Sequence, residues 1–296
     1  MCQFSGQLVL QLILCLAFGH IYGQQMFERI VGGIAVTQKK YPYYVRLHYR
    51  GEFNCGGSLV RNNAVLTAAH CVKDPSGKDL SVEALSVHAD TINLGDTGVV
   101  RTIKYAQVPK EYDAKTLNYD VAVLILSSTI PSASVIPLGR SAVAAGTKCL
   151  VIGHGDTEEK TPVFSRQLQE IQVPVVSRAV CQREYYGIRV ITQYMMCASE
   201  PGKKDSCTGD SGGPMICNGK QAGIVSWGEG CGRVEYPGVY TDISKVYGFI
   251  ENTLKMYPNK FRLHSFAGQN SAIITKQFKM AKEQNGARKR KREKIN

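Results

Sequence analysis

From Ile30 to Met256 the chain is a succession of short runs of β-branched and aromatic residues, cut at brief intervals by Gly, Pro and Asn. The runs are YYVRLHY, GSLVRNNAVLTAA, VVRTIKYAQV, VAVLIL, KCLVIG, LQEIQVPVV, MICNGKQAGIVSW and GVYTDI. That rhythm constrains the fold more than any other feature, and it predicts an all-β barrel or sandwich. One helical period closes the region: Val246, Phe249, Ile250 and Leu254 recur at near-helical spacing between Ser244 and Lys255, and Pro258 ends it.

The ten cysteines point to a compartment. Cys2 and Cys15 fall in an N-terminal leader, which leaves Cys55, Cys71, Cys149, Cys181, Cys197, Cys207, Cys217 and Cys231. An even number downstream of a leader is the pattern of disulfides formed in an oxidising environment. No Cys-x-x-Cys pair is present, so a zinc ribbon has little support. Residues 8–23, LVLQLILCLAFGHIYG, are apolar, too short for a comfortable membrane span and followed by small residues. They read as a signal peptide cleaved near Gly23, although no Lys or Arg precedes them.

Net charge is +12, but eleven Lys/Arg against two Glu lie from Asn259 onward, a surplus of nine. The body of the chain is therefore nearly balanced, and the whole-chain charge says little about its partners. The last segment has few apolar anchors and finishes in Arg288-Lys-Arg-Lys-Arg292, which reads as a flexible basic tail.

The strongest chemical signal is GDSGGP, Gly209 to Pro214. A serine hydroxyl is a poor nucleophile at neutral pH and needs a base, with donors aimed at the oxyanion it creates. Glycines beside Ser211 let the backbone turn tightly and present such N–H groups. His70 in LTAAHC can supply the base, and Asp120 in NYDVAVLIL, at the mouth of an apolar run, can hold that imidazole.

Together the segments RIVGG, GGSLV, LTAAHC, DVAVLIL, DSCTGDSGGP, IVSWGEGC and YPGVYTDI closely resemble the trypsin/chymotrypsin family of serine peptidases, over about Arg29 to Met256. The order His, Asp, Ser is also that family's order. The resemblance implies two packed Greek-key β-barrels with a C-terminal helix. It divides the chain into a signal peptide (1–23), a short activation peptide (24–29), a peptidase domain (30–257) and a basic, disordered tail (258–296). By the family's own mechanism, Ser211 is the nucleophile, His70 the base and then the acid, Asp120 the orienter of His70, and the N–H groups of Gly209 and Ser211 the oxyanion hole. Cleavage after Arg29 frees the Ile30 ammonium to pair with Asp210.

Specificity follows from the same resemblance. Asp205 stands six residues before Ser211, where trypsin-like members carry the acid at the base of the primary pocket. Gly228 and Gly238 match positions whose missing side chains leave that pocket open, with Ser226 and Trp227 along one wall and Ser206 beside the acid. A carboxylate at the end of such a slot favours Lys or Arg, because a neutral side chain leaves the charge desolvated and unpaired. The implied disulfides are Cys55–Cys71, Cys149–Cys217, Cys181–Cys197 and Cys207–Cys231.

Two departures stand out. The family tryptophan after Cys149 is His154, which reads as a solvent-facing residue, the alternative being an altered substrate subsite. The loop where many trypsins hold calcium offers only Asp90 and Asp96, which argues against a metal. The expectation is thus a secreted, monomeric endopeptidase without cofactor, metal or membrane contact. Its expected partners are Lys/Arg-containing protein or peptide substrates, an activating protease (itself included) and serine protease inhibitors. The alternatives are a catalytically dead protease scaffold used for binding, which usually shows a lost triad residue, and a nucleic-acid or polyanion binder acting through the tail.

Overall fold

The computed structural model describes residues 33–131, 134–155, 164–202 and 204–258. The leader, Arg29, Ile30 and the basic tail beyond Pro258 lie outside the described residues. Among the described residues, twelve of thirteen strands make two closed antiparallel barrels. The first is built from β2 (Tyr44–Tyr49), β3 (Glu52–Arg61), β4 (Ala64–Thr67), β5 (Leu85–Ala89), β6 (Val99–Gln107) and β7 (Ala122–Leu126), in the order β2-β3-β4-β7-β6-β5, with β5 returning to pair β2.

The second barrel uses β8 (Lys148–Gly153), β9 (Gln169–Val176), β10 (Met195–Ala198), β11 (Pro214–Cys217), β12 (Lys220–Trp227) and β13 (Gly238–Asp242). Its order is β9-β10-β13-β12-β11-β8, closed by β8 on β9, and the two-residue β1 (Ile34–Ala35) is added outside β9. Full closure leaves few strand edges exposed. Among the described residues the α-helices are α1 (Arg178–Glu184), capped by the Ser177 hydroxyl, which accepts the Val180 N–H at 3.3 Å, and α2 (Ile243–Met256). The single predicted helix is thus joined by a second, short one.

Local chemistry sets the strands. β5 alternates buried and half-buried residues, and β9 does so over eight positions, as a strand with one face on a core must. Two hairpins turn through paired positive-φ residues, Arg50–Gly51 between β2 and β3 and Asn218–Gly219 between β11 and β12. Such mirror-image turns match the twist of the strands they join. Each barrel has its own apolar interior, with Leu47, Leu59, Leu66, Val87 and Leu124 in the first and Val151, Val173, Met215 and Tyr240 in the second, all fully buried.

A third apolar cluster, including Tyr41, Tyr44, Ile152, Leu168 and Ile216, joins strands of both barrels. Two polar links cross with it. The Ser58 hydroxyl donates to Gln221 Oε1 at 2.6 Å, and the Gly56 N–H donates to the Ser211 carbonyl at 2.8 Å. Four disulfides join Cys55 to Cys71, Cys149 to Cys217, Cys181 to Cys197 and Cys207 to Cys231.

The largest fully buried side chain is a charged one, Arg46 on β2. Its guanidinium donates to the carbonyls of Asn93 at 2.7 Å and Leu94 at 2.8 Å, and also to that of Asp96, so the 91–97 loop folds around a cation borne by the chain itself. The two acids of that loop region are engaged elsewhere: Asp90 pairs with Lys39 at 3.0 Å, and Asp96 accepts from Asn93 and Thr91 side chains. Removing the guanidinium leaves buried carbonyls without donors, a cost of several kcal/mol. Arg46→Met is expected to lower unfolding free energy by about 3 kcal/mol, read as a shift of the urea midpoint with an unchanged slope.

Candidate active site

The site is built where the barrels meet. His70 sits in a 3-10 turn, Ala69–Cys71, that follows β4 and is tied by the Cys55–Cys71 disulfide back to β3. Asp120 immediately precedes the apolar segment of β7 and is fully buried. Its carboxylate accepts the His70 backbone N–H at 3.0 Å and the His70 ring at Nδ1 at 2.8 Å.

A third donor comes from the other barrel, the Ser226 hydroxyl on β12 at 2.5 Å. Because an ionised carboxylate only accepts, Nδ1 carries the proton and Nε2 keeps its lone pair for another group. Burial alone would lower the His70 pKa, but the charge and hydrogen bond of Asp120 outweigh it and hold the imidazole above its usual value. Its side chain remains one-quarter exposed, so a substrate can reach it.

Ser211 lies in the turn before β11. That turn is pinned by Asp210 N–H to the Cys207 carbonyl, Gly213 N–H to the Asp210 carbonyl and Gly212 N–H to the Val225 carbonyl. Gly209 and Gly212 both have positive φ, at 95° and 77°. A Cβ on Gly212 would fall 2.1 Å from Thr67 Oγ1 and 3.2 Å from the Ala68 nitrogen, so only glycine lets the Ser211 turn press against the segment leading to His70. Among the described residues the N–H groups of Gly209 and Ser211 have no backbone acceptor. The ring of His70 is hydrogen-bonded to Asp120, and among the described residues no hydrogen bond joins it to Ser211.

Two further carboxylates are buried close by. Asp210 is fully buried and accepts the Gly155 N–H at 2.8 Å and the Cys207 N–H at 2.9 Å. Asp205 is equally enclosed, with N–H donors from Ser206 at 2.9 Å and Gly232 at 3.1 Å. Burial nevertheless pushes its carboxyl up to about 7, the N–H donors opposing the shift. A Cβ on Gly238 would fall 2.5 Å from Asp205 Oδ1 and 3.1 Å from Ser206 Oγ, so the space above this acid exists because that residue is glycine. Gly228 lies next to Gly238, its notional Cβ 4.0 Å from the Gly238 Cα.

A family model described as Trypsin matches residues 30–250. The chain belongs to the trypsin family of serine proteases. It is 38% identical over 231 residues to Serine protease 1 of Homo sapiens, an alignment covering 77% of this chain and 90% of that protein. It is 39% identical over 234 residues to Trypsin I-P1 of Gallus gallus (77% and 90%), and 38% identical over 231 residues to Trypsin of Sus scrofa (77% and 96%).

Within the trypsin-family frame, one side chain has a contact that the sequence did not suggest, and another was misplaced by it. Ser226, expected beside the pocket wall, turns its hydroxyl to Asp120 and so also takes part in the histidine–carboxylate pair. His154 is not solvent-facing: it is fully buried. Its ring fills a gap between Tyr44 and Phe53, with centroids 5.8 Å from each, so a polar residue here takes the interior place of an aromatic one.

His154 Nδ1 donates to the Ser165 carbonyl at 2.9 Å, and Nε2 has no partner among the described residues. Phe164 continues the cluster, 5.3 Å from Phe53, and packs where a Cβ on Gly209 would collide. Trp227 is braced by Tyr185, whose hydroxyl donates to the Pro237 carbonyl at 2.8 Å and whose ring meets the indole edge-on at 5.0 Å. Neither role carries a motif in the sequence. The one group of potential metal ligands among the described residues, Cys55, His70 and Cys71, has both sulfurs in a disulfide.

Burial lowers the His154 pKa from the usual 6.5 to about 4. Between these values the unfolded chain takes up a proton that the folded chain refuses, so stability falls as pH drops through that window. The expected loss attributable to His154 at pH 4 is roughly 3 kcal/mol. In His154→Phe, the slope of unfolding free energy against pH from 6.5 to 4 should be shallower by that amount.

Proposed function

We propose that this protein is a secreted serine endopeptidase, made as an inactive precursor, activated by cleavage between Arg29 and Ile30, and specific for peptide bonds after Arg and Lys. In this reading residues 30–257 are the catalytic domain, 1–23 the signal peptide, 24–29 the activation peptide and 258–296 a basic appendage. The observation that carries the specificity is the buried Asp205 carboxylate under two glycines. A cation entering that space restores the ionised acid and pairs with it, whereas a neutral side chain leaves the acid desolvated. Ser206 and the ring of Trp227 supply the remaining walls.

Catalysis in this reading begins with attack of Ser211 Oγ on the substrate carbonyl as His70 Nε2 takes its proton. Asp120, steadied by Ser226, keeps Nδ1 protonated and stabilises the imidazolium that forms. The N–H groups of Gly209 and Ser211 hold the oxyanion. His70 then returns the proton to the leaving amine, leaving an acyl-enzyme that water hydrolyses by the same steps in reverse roles. Activation works through Asp210: the new Ile30 ammonium neutralises a carboxylate buried beside Gly153 and Gly155, fixing the turn that carries Gly209 and Ser211. Four disulfides support an oxidising, extracellular location. Partners in this reading are protein or peptide substrates with Lys or Arg at the cut, an activating protease and serine protease inhibitors.

The test is hydrolysis of matched peptides by the protein cut after Arg29. Arg and Lys substrates should be strongly preferred, and Asp205→Ser should lose about 3–5 kcal/mol of that preference, on the order of a hundredfold or more in kcat/KM. Best cleavage after Phe or Leu would refute the pocket assignment. Arg29→Gln, left uncut, is expected to stay inactive by orders of magnitude, and full activity in that protein would remove the activation step.

A further inference from the structure

The loop after α1 brings a second charge to the mouth of the cleft. The Arg189 guanidinium lies over the Trp227 ring, 4.6 Å from its centroid, while Tyr185 closes another side of the ring. Trp227 itself stands between Ser226, whose hydroxyl is on Asp120, and Gly228, which lies next to Gly238 above Asp205. The cation is thus placed beside the route from the catalytic pair to the pocket.

The root of the loop is fixed, because Tyr185 is fully buried and bonded to Pro237. Its tip is open: Tyr186 is 88% exposed, Val190 76%, and Arg189 is exposed between Ile188 and Val190. Among the described residues no carboxylate forms an ion pair with Arg189. Glu229 is the neighbouring acid, close enough for both it and Arg189 to act on the Tyr185 hydroxyl.

We propose that Arg189 is a specificity-determining residue that selects acidic side chains in the few substrate positions before the cleaved bond. The inference rests on the Arg/Lys reading of the pocket. A residue seated over Asp205 with its carbonyl at Ser211 has its amino side directed away from Ser211, toward Gly228 and Trp227, so the residues preceding it run past Arg189. A guanidinium held flat on an indole face loses little freedom when a carboxylate arrives, and its fork fits that group with two hydrogen bonds. The cleft then reads a charge pattern, an acid followed by a base.

The chain's own sequence carries that pattern at the proposed activation site, where Glu28 directly precedes Arg29 in QQMFERIVGG. An enzyme with this preference would accept another copy of its own precursor as a substrate.

The test uses the full chain cut after Arg29 and decapeptides based on QQMFERIVGG. A single Glu is moved through the three positions before the Arg, each peptide paired with its Gln counterpart. At one or more positions the wild type should favour Glu over Gln by roughly two- to fivefold in kcat/KM, the range of an exposed ion pair. The ratio should shrink as salt rises. It should fall below one in Arg189→Glu and rise in Glu229→Gln.

Ratios that are flat at all three positions, or unchanged by Arg189→Glu, would overturn the proposal. Hydrolysis of a single-residue arginine ester by the wild type separates the two levels. Ester cleavage with flat Glu/Gln ratios sinks the Arg189 role alone, whereas no ester cleavage sinks the pocket reading beneath it.

Discussion

A buried carboxylate has to be surrounded by donors, and at Asp120 those donors come from both barrels. His70 contributes two from the first and Ser226 one from the second, while the Asp120 carbonyl accepts the Thr241 hydroxyl of β13 at 2.7 Å. A shift of one barrel against the other would strip a fully desolvated charge of part of its shell, at a cost of several kcal/mol. The site therefore enforces the registry of the fold as much as the fold positions the site. Ser58–Gln221 and Gly56–Ser211 fasten the same seam with neutral hydrogen bonds.

Space is the second requirement, and glycine provides it. Asp205 and Asp210 each occupy volume that a neighbouring Cβ would invade, from Gly238 in one case and from Gly153 and Gly155 in the other. Each acid takes backbone N–H donors at about hydrogen-bond length in place of water. The two differ in their donors, which are Ser206 and Gly232 for Asp205 and Gly155 and Cys207 for Asp210.

Much of this was legible in the residues, for uneven reasons. Long β-branched runs such as VAVLIL and LQEIQVPVV announced their strands, whereas GSLVRNNAVLTAA, read as one run, divides into the end of β3 and β4. β1, β5 and β10 went unread because two to five residues containing Ser, His, Ala or Met carry too little pattern to stand out. α1, with seven residues, is likewise too short to show a period, although Ser177 is a recognisable cap. The motifs drew attention to His70, Asp120 and Ser211, but only folding brings together groups that are 50 residues and more apart. The interior position of His154 was hidden because polarity was taken for exposure, when one hydrogen bond to Ser165 and two aromatic neighbours, Tyr44 and Phe53, are enough to hold an imidazole inside.

Arg46 has a consequence that reaches beyond its hydrogen bonds. A loop organised by a dissolved ion is stabilised by mass action, so its stability follows the concentration of that ion in the surrounding fluid. The 91–97 loop is organised by a guanidinium attached to β2, whose effective concentration is set by the fold and cannot be diluted or sequestered. The three carbonyls of this loop therefore keep their donor at any dilution, since the chain that needs it also carries it.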